Sequence, residues 1–549
     1  MKKILFCAVL LISGISLAQD NGYFFGGFES NSQWLLDDDG LNFEAPEDQF
    51  RSNNYFRLDY NLGKFTAGVQ YETYIPSALL GYSPVYDGEN GIGTYYLNFK
   101  TETLDITGGY FYEQFGSGLL LRSWEERQLG INSAIKGVRV KFTPLDYLDV
   151  TGVYGNQRVG FEVSEGLIQG LDANINISTA LNIESIDLDF GASYVGRYQS
   201  TGTNDTIPST VNAYGGRLNF VAGDFYGGIE ANIKDPDVIA NEGQLSSNKL
   251  YDGTSMQVDL GYAKKGLGIN ATFRRLENFV FYSDRLAEGN VYNQQLINYT
   301  PALTKQQDYM LTNIYVYNAQ PRLVIETYDQ RSGEVGTQVD LYYKFKKGTA
   351  LGGKYGTKVA FNYSYWAGLD AEYNIENRWY EAKFIGNGDR LFRDVSIEVK
   401  KRWDKKWSSV ATFQNVIVDE GIVHGGPLGT QGDIEASIAV IEGTYKFEGG
   451  KSTRLVLQHL WTEEDRKEWA AGVLEYNFNS RLAVYVADSW NYGGEEEIHY
   501  YSLGGSYSKG RTRLGVNYGR QRGGLICVGG VCRFVPENTG FTANLTVSF

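Results

Sequence analysis

The last nine residues of the chain, FTANLTVSF (541–549), alternate strictly between apolar and polar side chains. A period of two residues is typical of a β-strand that turns one face to an apolar medium and the other to water. The same alternation recurs at 171–178, 338–345 and 395–400, where the polar phase often includes charged residues. We therefore predict an all-β chain in which many strands have one wet face.

The connections between these strands fall into two length classes that alternate along the chain. Short turns are predicted at 62–64, 101–103, 222–224, 404–406, 479–481 and 508–510. Longer connections are predicted at 75–93, 113–136, 155–170, 196–210, 235–254, 275–308, 367–392, 417–433 and 521–539. Outer-membrane barrels have this asymmetry, with short periplasmic turns and long extracellular loops. The pattern predicts a single transmembrane antiparallel up-and-down β-barrel.

The predicted strand count is about 26, or 24 if the hairpin around 309–328 belongs to a loop. Both counts are even, as a single-chain bacterial barrel requires. Residues 377–386 break the alternation and are assigned to an extracellular loop. The barrel domain, residues 19–549, is long enough for either count, because one crossing takes about 9–11 residues. An open barrel of this width would leak solutes, so we expect inward loops or a partner protein to fill its lumen.

Composition agrees with a barrel and excludes other classes. The chain has 549 residues, 14% of them aromatic, and Tyr and Trp prefer the two membrane–water interfaces. The net charge of −15 argues against nucleic-acid binding, because contacts to phosphates need a basic surface. Beyond the N-terminus we find no run of about 18 apolar residues, which excludes a helical membrane protein.

Residues 1–18 have the features of a secretory signal peptide. Lys2 and Lys3 precede the apolar stretch 4–12, and Ser16-Leu17-Ala18 places small residues before Gln19. A lipoprotein signal is the alternative, but Cys7 lies within the apolar stretch and lacks a small residue directly before it. We therefore predict export to the cell outer membrane after cleavage, with membrane lipid as the first partner.

Cys527 and Cys532 enclose the sequence Val-Gly-Gly-Val in the last long connection. A Gly-Gly turn lets two flanking Cβ atoms approach each other, and an exported protein meets an oxidising environment. We predict a disulfide between them. Metal binding and redox activity are weaker alternatives, because the spacing suits neither and no second ligand pair is present.

The connection 113–136 mixes glycines, an apolar run and paired charges. Such a loop can fold into the lumen, where Arg122, Glu125, Glu126 and Arg127 would set ionic selectivity at a constriction. The alternative is a loop that packs against neighbouring loops through internal salt bridges. The sequence leaves both interpretations open.

Catalysis is not expected. Histidine occurs only at His424, His459 and His499, and His424 has no evident serine or acid partner in the sequence. The acidic runs 37–39 and 495–497 do not match a calcium-ligand spacing. We therefore predict no enzyme activity, no metal site and no cofactor.

Several stretches resemble a known family: YEQFGSGLLLRSWEERQLGIN (112–132), VYGNQRVGF (153–161), GGKYGTKVAFNYSYW (352–366) and CVGGVCRFVPENTGF (527–541). They are similar to a Bacteroidetes outer-membrane barrel family catalogued only as a domain of unknown function. The resemblance covers nearly the whole mature chain. It implies location and architecture, and it supplies no activity or residue roles.

Two functions follow from a wide, exported barrel. The first is a channel or transport conduit that its own loops gate or plug. The second is a non-conducting scaffold that binds surface lipoproteins or a secretion complex, for which the long loops 275–308 and 367–392 offer a surface. We expect conductance in planar bilayers to separate the two.

Overall fold

A computed structural model describes residues 22–202, 206–241, 243–319, 333–374, 379–424 and 431–549. It is a closed antiparallel barrel of 24 strands. The strands are β1 Gly22–Leu35, β2 Phe50–Leu62, β3 Phe65–Thr73, β4 Asn90–Lys100, β5 Leu104–Phe111, β6 Ile135–Leu145, β7 Leu148–Val159, β8 Glu162–Asn176, β9 Asp187–Tyr198, β10 Thr210–Ala222, β11 Phe225–Asn241, β12 Gln244–Lys264, β13 Leu267–Glu277, β14 Gly333–Phe345, β15 Thr357–Ala367, β16 Arg390–Arg402, β17 Trp407–Asp419, β18 Asp433–Lys446, β19 Ser452–Trp461, β20 Trp469–Asn477, β21 Leu482–Asn491, β22 Ile498–Lys509, β23 Thr512–Gln521 and β24 Asn538–Ser548.

Each strand pairs with its neighbours in sequence, and the two terminal strands close the barrel. The stretch that alternates most clearly, in β24, pairs with β1 from Gly27↔Ser548 to Leu35↔Gly540. The predicted all-β, up-and-down transmembrane barrel is confirmed. The count is 24, the lower of the two predicted, because residues 309–319 form no strand and lie in a loop.

Short turns and long loops lie at opposite ends of the barrel, as predicted. The six predicted short turns all connect neighbouring strands at one end, which we call the short-turn end. Two predicted long connections are wrong. β7 and β8 continue through 155–170 to a tight turn at 160–161, and β11 and β12 continue through most of 235–254.

The outer wall carries the surface that a lipid environment requires. A belt of lipid-facing side chains is between 52% and 65% exposed, including Leu171, Leu260, Ile441, Leu457 and Leu503. Aromatic pairs form a girdle near the short-turn end, among them Phe65–Phe99, Phe225–Tyr262, Trp407–Tyr445 and Tyr476–Phe478. Within the described ranges, no helix has the length and apolar character needed to cross a membrane.

The connections contain further regular structure. The described ranges include two short α-helices, Ile177–Leu181 at the short-turn end and Glu420–His424 at the long-loop end. The sequence assigns residues 377–386 to a loop, and their described part pairs as Trp379–Ala382 with Ala371–Asn374 outside the barrel sheet. The predicted signal peptide, residues 1–18, lies outside the described residues.

Candidate functional site: the filled lumen

The connection between β5 and β6, residues 112–134, folds inward. We call it the constriction loop. Its apolar run, Leu119, Leu120 and Leu121, is almost fully buried. These residues join a cluster with lumen-facing side chains of β7 to β10, including Val153, Ile168, Val195, Val211 and Ala213. The loop therefore packs its apolar face on the inner wall of one side of the barrel.

The four predicted constriction residues lie in this loop but do not form one group. Arg127 donates to Glu29 of β1 at 2.5 Å and to Glu125 at 3.1 Å, and its guanidinium lies 4.2 Å from the ring centre of Tyr55. These contacts tie the loop to β1 and β2, on the other side of its own strands from β7 to β10.

The other two charges of the set have different surroundings. Arg122 stacks on Tyr299, at 3.9 Å from the ring centre. Glu126 accepts a hydrogen bond from the backbone of Gln128 within its own turn. A role in ion selectivity stays a prediction for all four residues, and the contacts of Arg122 and Arg127 also fit the packing alternative.

The connection between β13 and β14 is the second inward segment. We call its described part, residues 278–319, the plug. Its first half packs beside the constriction loop: Phe279, Phe281 and Ile297 are buried in the same cluster as Leu120. Backbone hydrogen bonds join the two segments, from Arg122 to Ile297 and from Tyr299 to Gly118, both at 2.9 Å.

The second half of the plug crosses to the other side of the barrel. Leu311, Ile314, Tyr315 and Tyr317 are buried against lumen-facing residues of β15 to β20. This wall is apolar and includes Trp366, Phe392, Val416, Val418, Ile434, Ala436, Ile438, Val440, Val456, Leu460 and Trp469. Two hydrogen bonds fix the position of the plug on this wall. The Leu311 amide donates to the Gln458 side chain at 3.0 Å, and the Trp366 indole donates to the Leu303 carbonyl at 3.0 Å. Chain segments therefore cover the inner wall on both sides of the barrel.

The apolar inner wall follows from a phase change along the strands. In β18 the inward residues Ile434, Ala436, Ile438 and Val440 are apolar and buried, whereas Ile441 points outward and is 65% exposed. The alternation thus inverts between 440 and 441. On the short-turn side of this level the exposed outer face is apolar, and on the long-loop side the plug covers the inner face.

A buried ion pair anchors the plug at its centre. Arg274 of β13 donates to Glu334 of β14 at 2.7 Å, and neither side chain is exposed. Glu334 also accepts from the hydroxyl of Tyr317, while Arg274 donates to the carbonyl of Pro301 at 2.7 Å. The pair therefore holds the plug at two points, Tyr317 and Pro301.

The last long connection forms a lid over the plug. Gly524–Val528 pairs with Val531–Val535, and we call this the cap hairpin. Its turn contacts the plug, since the Ala302 amide donates to the Gly530 carbonyl at 2.7 Å. Arg533 donates to the Leu129 carbonyl of the constriction loop at 2.9 Å. The cap hairpin thus connects both inward segments.

Cys527 and Cys532 face each other across the cap hairpin, with a Cα–Cα distance of 4.0 Å. We predict that alkylation of the unreduced, denatured mature protein labels neither thiol, because the structure places the two sulfurs as a bonded pair. Mass spectrometry checks this, with the reduced protein as the positive control. Alkylation of both cysteines without prior reduction would contradict the disulfide.

A histidine joins three segments at the long-loop end. His424 follows β17, Asp465 follows β19, and their side chains meet with Nε2 and Oδ1 3.1 Å apart. The Tyr315 hydroxyl of the plug donates to the other oxygen of Asp465 at 3.0 Å. Glu420 lies 3.8 Å from the same imidazole nitrogen, and the charge of Arg466 also reaches the ring. We call His424, Asp465 and Tyr315 the latch.

The charges of the latch depend on one another. The hydrogen bond to Asp465 raises the pKa of His424 above its ordinary value of 6.5. Burial acts to raise the pKa of Asp465, but hydrogen bonds from His424 and Tyr315 hold it below its ordinary value of 3.8. Because the pKa of His424 is raised in the folded state, the protonated imidazole stabilises the latched plug fully below pH 6.5. This stabilisation is lost as the pH rises through the raised pKa.

We therefore predict that the plug opens more often as the pH is raised above that value. The open fraction of the purified protein in planar bilayers measures this. His424→Gln should abolish the dependence, whereas His499→Gln should preserve it, since His499 pairs with Asp488 away from the plug. An unchanged pH dependence in His424→Gln would contradict the role of the latch.

The sequence predicts inward loops or a partner protein in the lumen, but it does not identify the plug or the latch. It offers 275–308 only as a surface for the scaffold function, and it shows no acid partner for His424. The plug had one signal in the sequence, the phase change in β18. The latch had none, because its three residues come from separate connections.

The model of one protein family matches residues 1–549. The chain belongs to DUF6029, a family of unknown function. This confirms the predicted resemblance to a family without an assigned function, while the predicted bacterial phylum stays a prediction. No protein of curated function matches the DUF6029 chain.

Solved structures similar to the DUF6029 chain include a siderophore receptor and an outer membrane transporter. The siderophore receptor PirA from Pseudomonas aeruginosa aligns at a TM-score of 0.40 and 9% identity, covering 97% of this chain and 81% of PirA. The outer membrane transporter YddB from Escherichia coli aligns at 0.40 and 8% identity, covering 96% and 81%. At these identities the similarity concerns the fold alone.

Proposed function

We propose that the chain is an integral outer-membrane β-barrel that acts as a gated transport conduit and not as an enzyme. The observation that carries this proposal is the plug, which packs an apolar face on an apolar arc of the inner wall. A strand wall that faced only water would not need that surface. The inner wall is built to hold a segment of its own chain.

The way the plug is attached to the barrel supports the proposal that it moves. The plug follows β13 and precedes β14, so it can leave the wall without leaving the barrel. Its contacts with the rim include the latch, whose strength depends on pH. Opening requires only that contacts made within the lumen are exchanged for water, which a solute or a partner protein with higher affinity for the open state can drive.

Conductance tests the proposal. The purified wild-type protein in planar bilayers should be closed for most of the time, with discrete openings. A barrel without any openings, at every pH and voltage at which the bilayer is stable, would contradict the conduit. A barrel that is permanently open would contradict closure by the plug.

A scaffold for a surface lipoprotein or secretion complex is the second candidate, favoured by one loop. In the connection between β15 and β16, Phe384 is 62% exposed and Ile385 is 86% exposed. Exposed apolar side chains at a loop tip mark a protein contact when they group together. A stoichiometric partner that co-purifies from native membranes, and is lost in Ile385→Asp, would support the scaffold, and its absence would exclude it.

A further inference from the structure

Two neighbouring turns at the short-turn end are strongly basic, although the chain as a whole is acidic. Residues 344–358 contain five lysines and no acidic residue, and residues 400–406 contain five basic residues and only Asp404. The two segments are adjacent in space, because Thr357 of β15 pairs with Lys401 of β16. So many like charges repel one another, and an anion bound among them would relieve that repulsion.

A groove on the lipid-facing wall opens directly beside these turns. It has a volume of about 520 Å³ and lies between β17, β18 and β19. Gly443 of β18 pairs with Ser409 of β17 and with Leu455 of β19, so the three residues form one row across the sheet. Trp407 and Tyr445 pair with each other two residues closer to the short-turn end. A Cβ at Gly443 would meet no atom within 4 Å, so the missing side chain itself creates the depression.

The groove has an apolar floor and aromatic edges. Ile441 and Leu457 are 65% and 54% exposed and lie one register step deeper in the wall. Trp403 and Trp407 form the edge nearest the turn, at the level where aromatic rings meet lipid headgroups. This is the shape and polarity that an acyl chain fills.

A lysine connects the basic turns to the groove. Lys401 pairs with Ser409, so it stands in the same row as Gly443 and on the same outer face. Its ammonium lies 4.3 Å from the ring centre of Trp403. Among the described residues, no carboxylate lies within 4 Å of Lys401 or Lys405, whereas Lys406 pairs with Glu448 at 3.4 Å. Asp404 is engaged in the turn, accepting hydrogen bonds from the Lys406 and Trp407 amides.

We propose that this surface is a binding site for one anionic phospholipid of the periplasmic leaflet. Its phosphate contacts Lys401 and Lys405, and an acyl chain occupies the groove at Gly443. The lysine charges favour an anionic headgroup over a neutral one. The groove favours a lipid over a free phosphate, because only a lipid has an acyl chain to fill it. A soluble protein partner is disfavoured, because the floor of the groove lies below the headgroup level. The site rests on the barrel's orientation and is independent of whether the barrel conducts.

Native mass spectrometry of the detergent-purified protein tests the site. Phosphatidylglycerol and phosphatidylcholine are titrated separately over the same concentration range, and the lipids retained per protein are counted at each concentration. We expect one phosphatidylglycerol to be retained at a concentration roughly 25-fold below that needed for phosphatidylcholine, because each of the two lysines strengthens binding of an anionic headgroup about fivefold. Lys401→Gln with Lys405→Gln should remove this preference. Gly443→Leu should remove retention, because its side chain fills the groove.

Matched substitutions elsewhere on the barrel provide the controls. Gly152 on β7 also has open space at its Cβ position, and no basic turn adjoins it, so Gly152→Leu should keep the lipid. Lys265→Gln changes a lysine in another short turn and should also keep it. Equal retention of both lipids by the wild type, or wild-type retention in Gly443→Leu, would overturn the proposal. Heat-modifiable migration confirms that each variant is folded.

Discussion

Leu311→Asp is expected to open the lumen. Leu311 has no exposed surface and packs on the apolar arc of the inner wall. Placing a carboxylate there loses apolar burial and buries a charge without a partner, at a cost of about 3 kcal/mol or more. A penalty of that size changes the ratio of open to closed barrels by roughly a hundredfold. Single-channel recording in planar bilayers should show long openings that are rare in the wild type.

The same connection contains the control for this substitution. Leu286 also lies in the plug segment but is 55% exposed. Leu286→Asp introduces the same charge without disturbing the apolar contact, so it should conduct like the wild type. If Leu311→Asp were as closed as Leu286→Asp, another segment would have to close the lumen.

Arg274→Met is expected to destabilise the barrel by about 3–5 kcal/mol, the cost of removing one member of a buried ion pair. Glu334 would lose its ion pair with Arg274, and the plug would lose its hydrogen bond at Pro301. The temperature at which heat-modifiable migration is lost measures this change. Conductance should rise in parallel, because the same pair holds the plug.

A double variant separates the missing charge partner from a general packing defect. Arg274→Met with Glu334→Met removes both charges, and apolar replacement of a buried pair is often close to neutral. It should recover most of the lost thermal stability, although Tyr317 then lacks its acceptor. Equal thermal stability of the single and double variants would show that the loss in Arg274→Met does not come from breaking the ion pair.

The barrel could be predicted because the alternation of apolar and polar side chains is visible within each short stretch of sequence. The stretch 541–549 shows a period of two, and it pairs with both β1 and β23. The strand count was less certain for a physical reason. Residues around 309–319 pack one apolar face on the inner wall, so they have the amphipathic pattern of a strand without joining the sheet.

The two wrong loop boundaries have another cause. β7, β8, β11 and β12 run on towards the long-loop end, where water and loops surround them, so their outer face no longer needs apolar residues. A strand in that setting has the polar composition of a loop. The tight turn at 160–161 could not be distinguished from a broad connection by composition alone.

The site was partly predictable. An inward fold of the constriction loop is one of the two interpretations that the sequence leaves open, and the loop does pack on the inner wall. The apolar inner wall could also have been found, because the inversion between Val440 and Ile441 is visible in the sequence. The contacts of Arg127 with Glu29, and of His424 with Asp465, join residues far apart in the chain, and local spacing does not reveal them.

Cross-linking in intact cells tests most directly whether the plug lies on the inner wall. Cysteines at 311 and 458 join the plug to β19, where the Leu311 amide contacts the Gln458 side chain. With Cys527 and Cys532 replaced by serine, we expect this pair to form a disulfide in most molecules and to abolish the openings until it is reduced. A pair at 311 and 457 is the control, since Leu457 points outward. No cross-link at 311 and 458 in folded, membrane-inserted protein would contradict closure of the lumen by the plug.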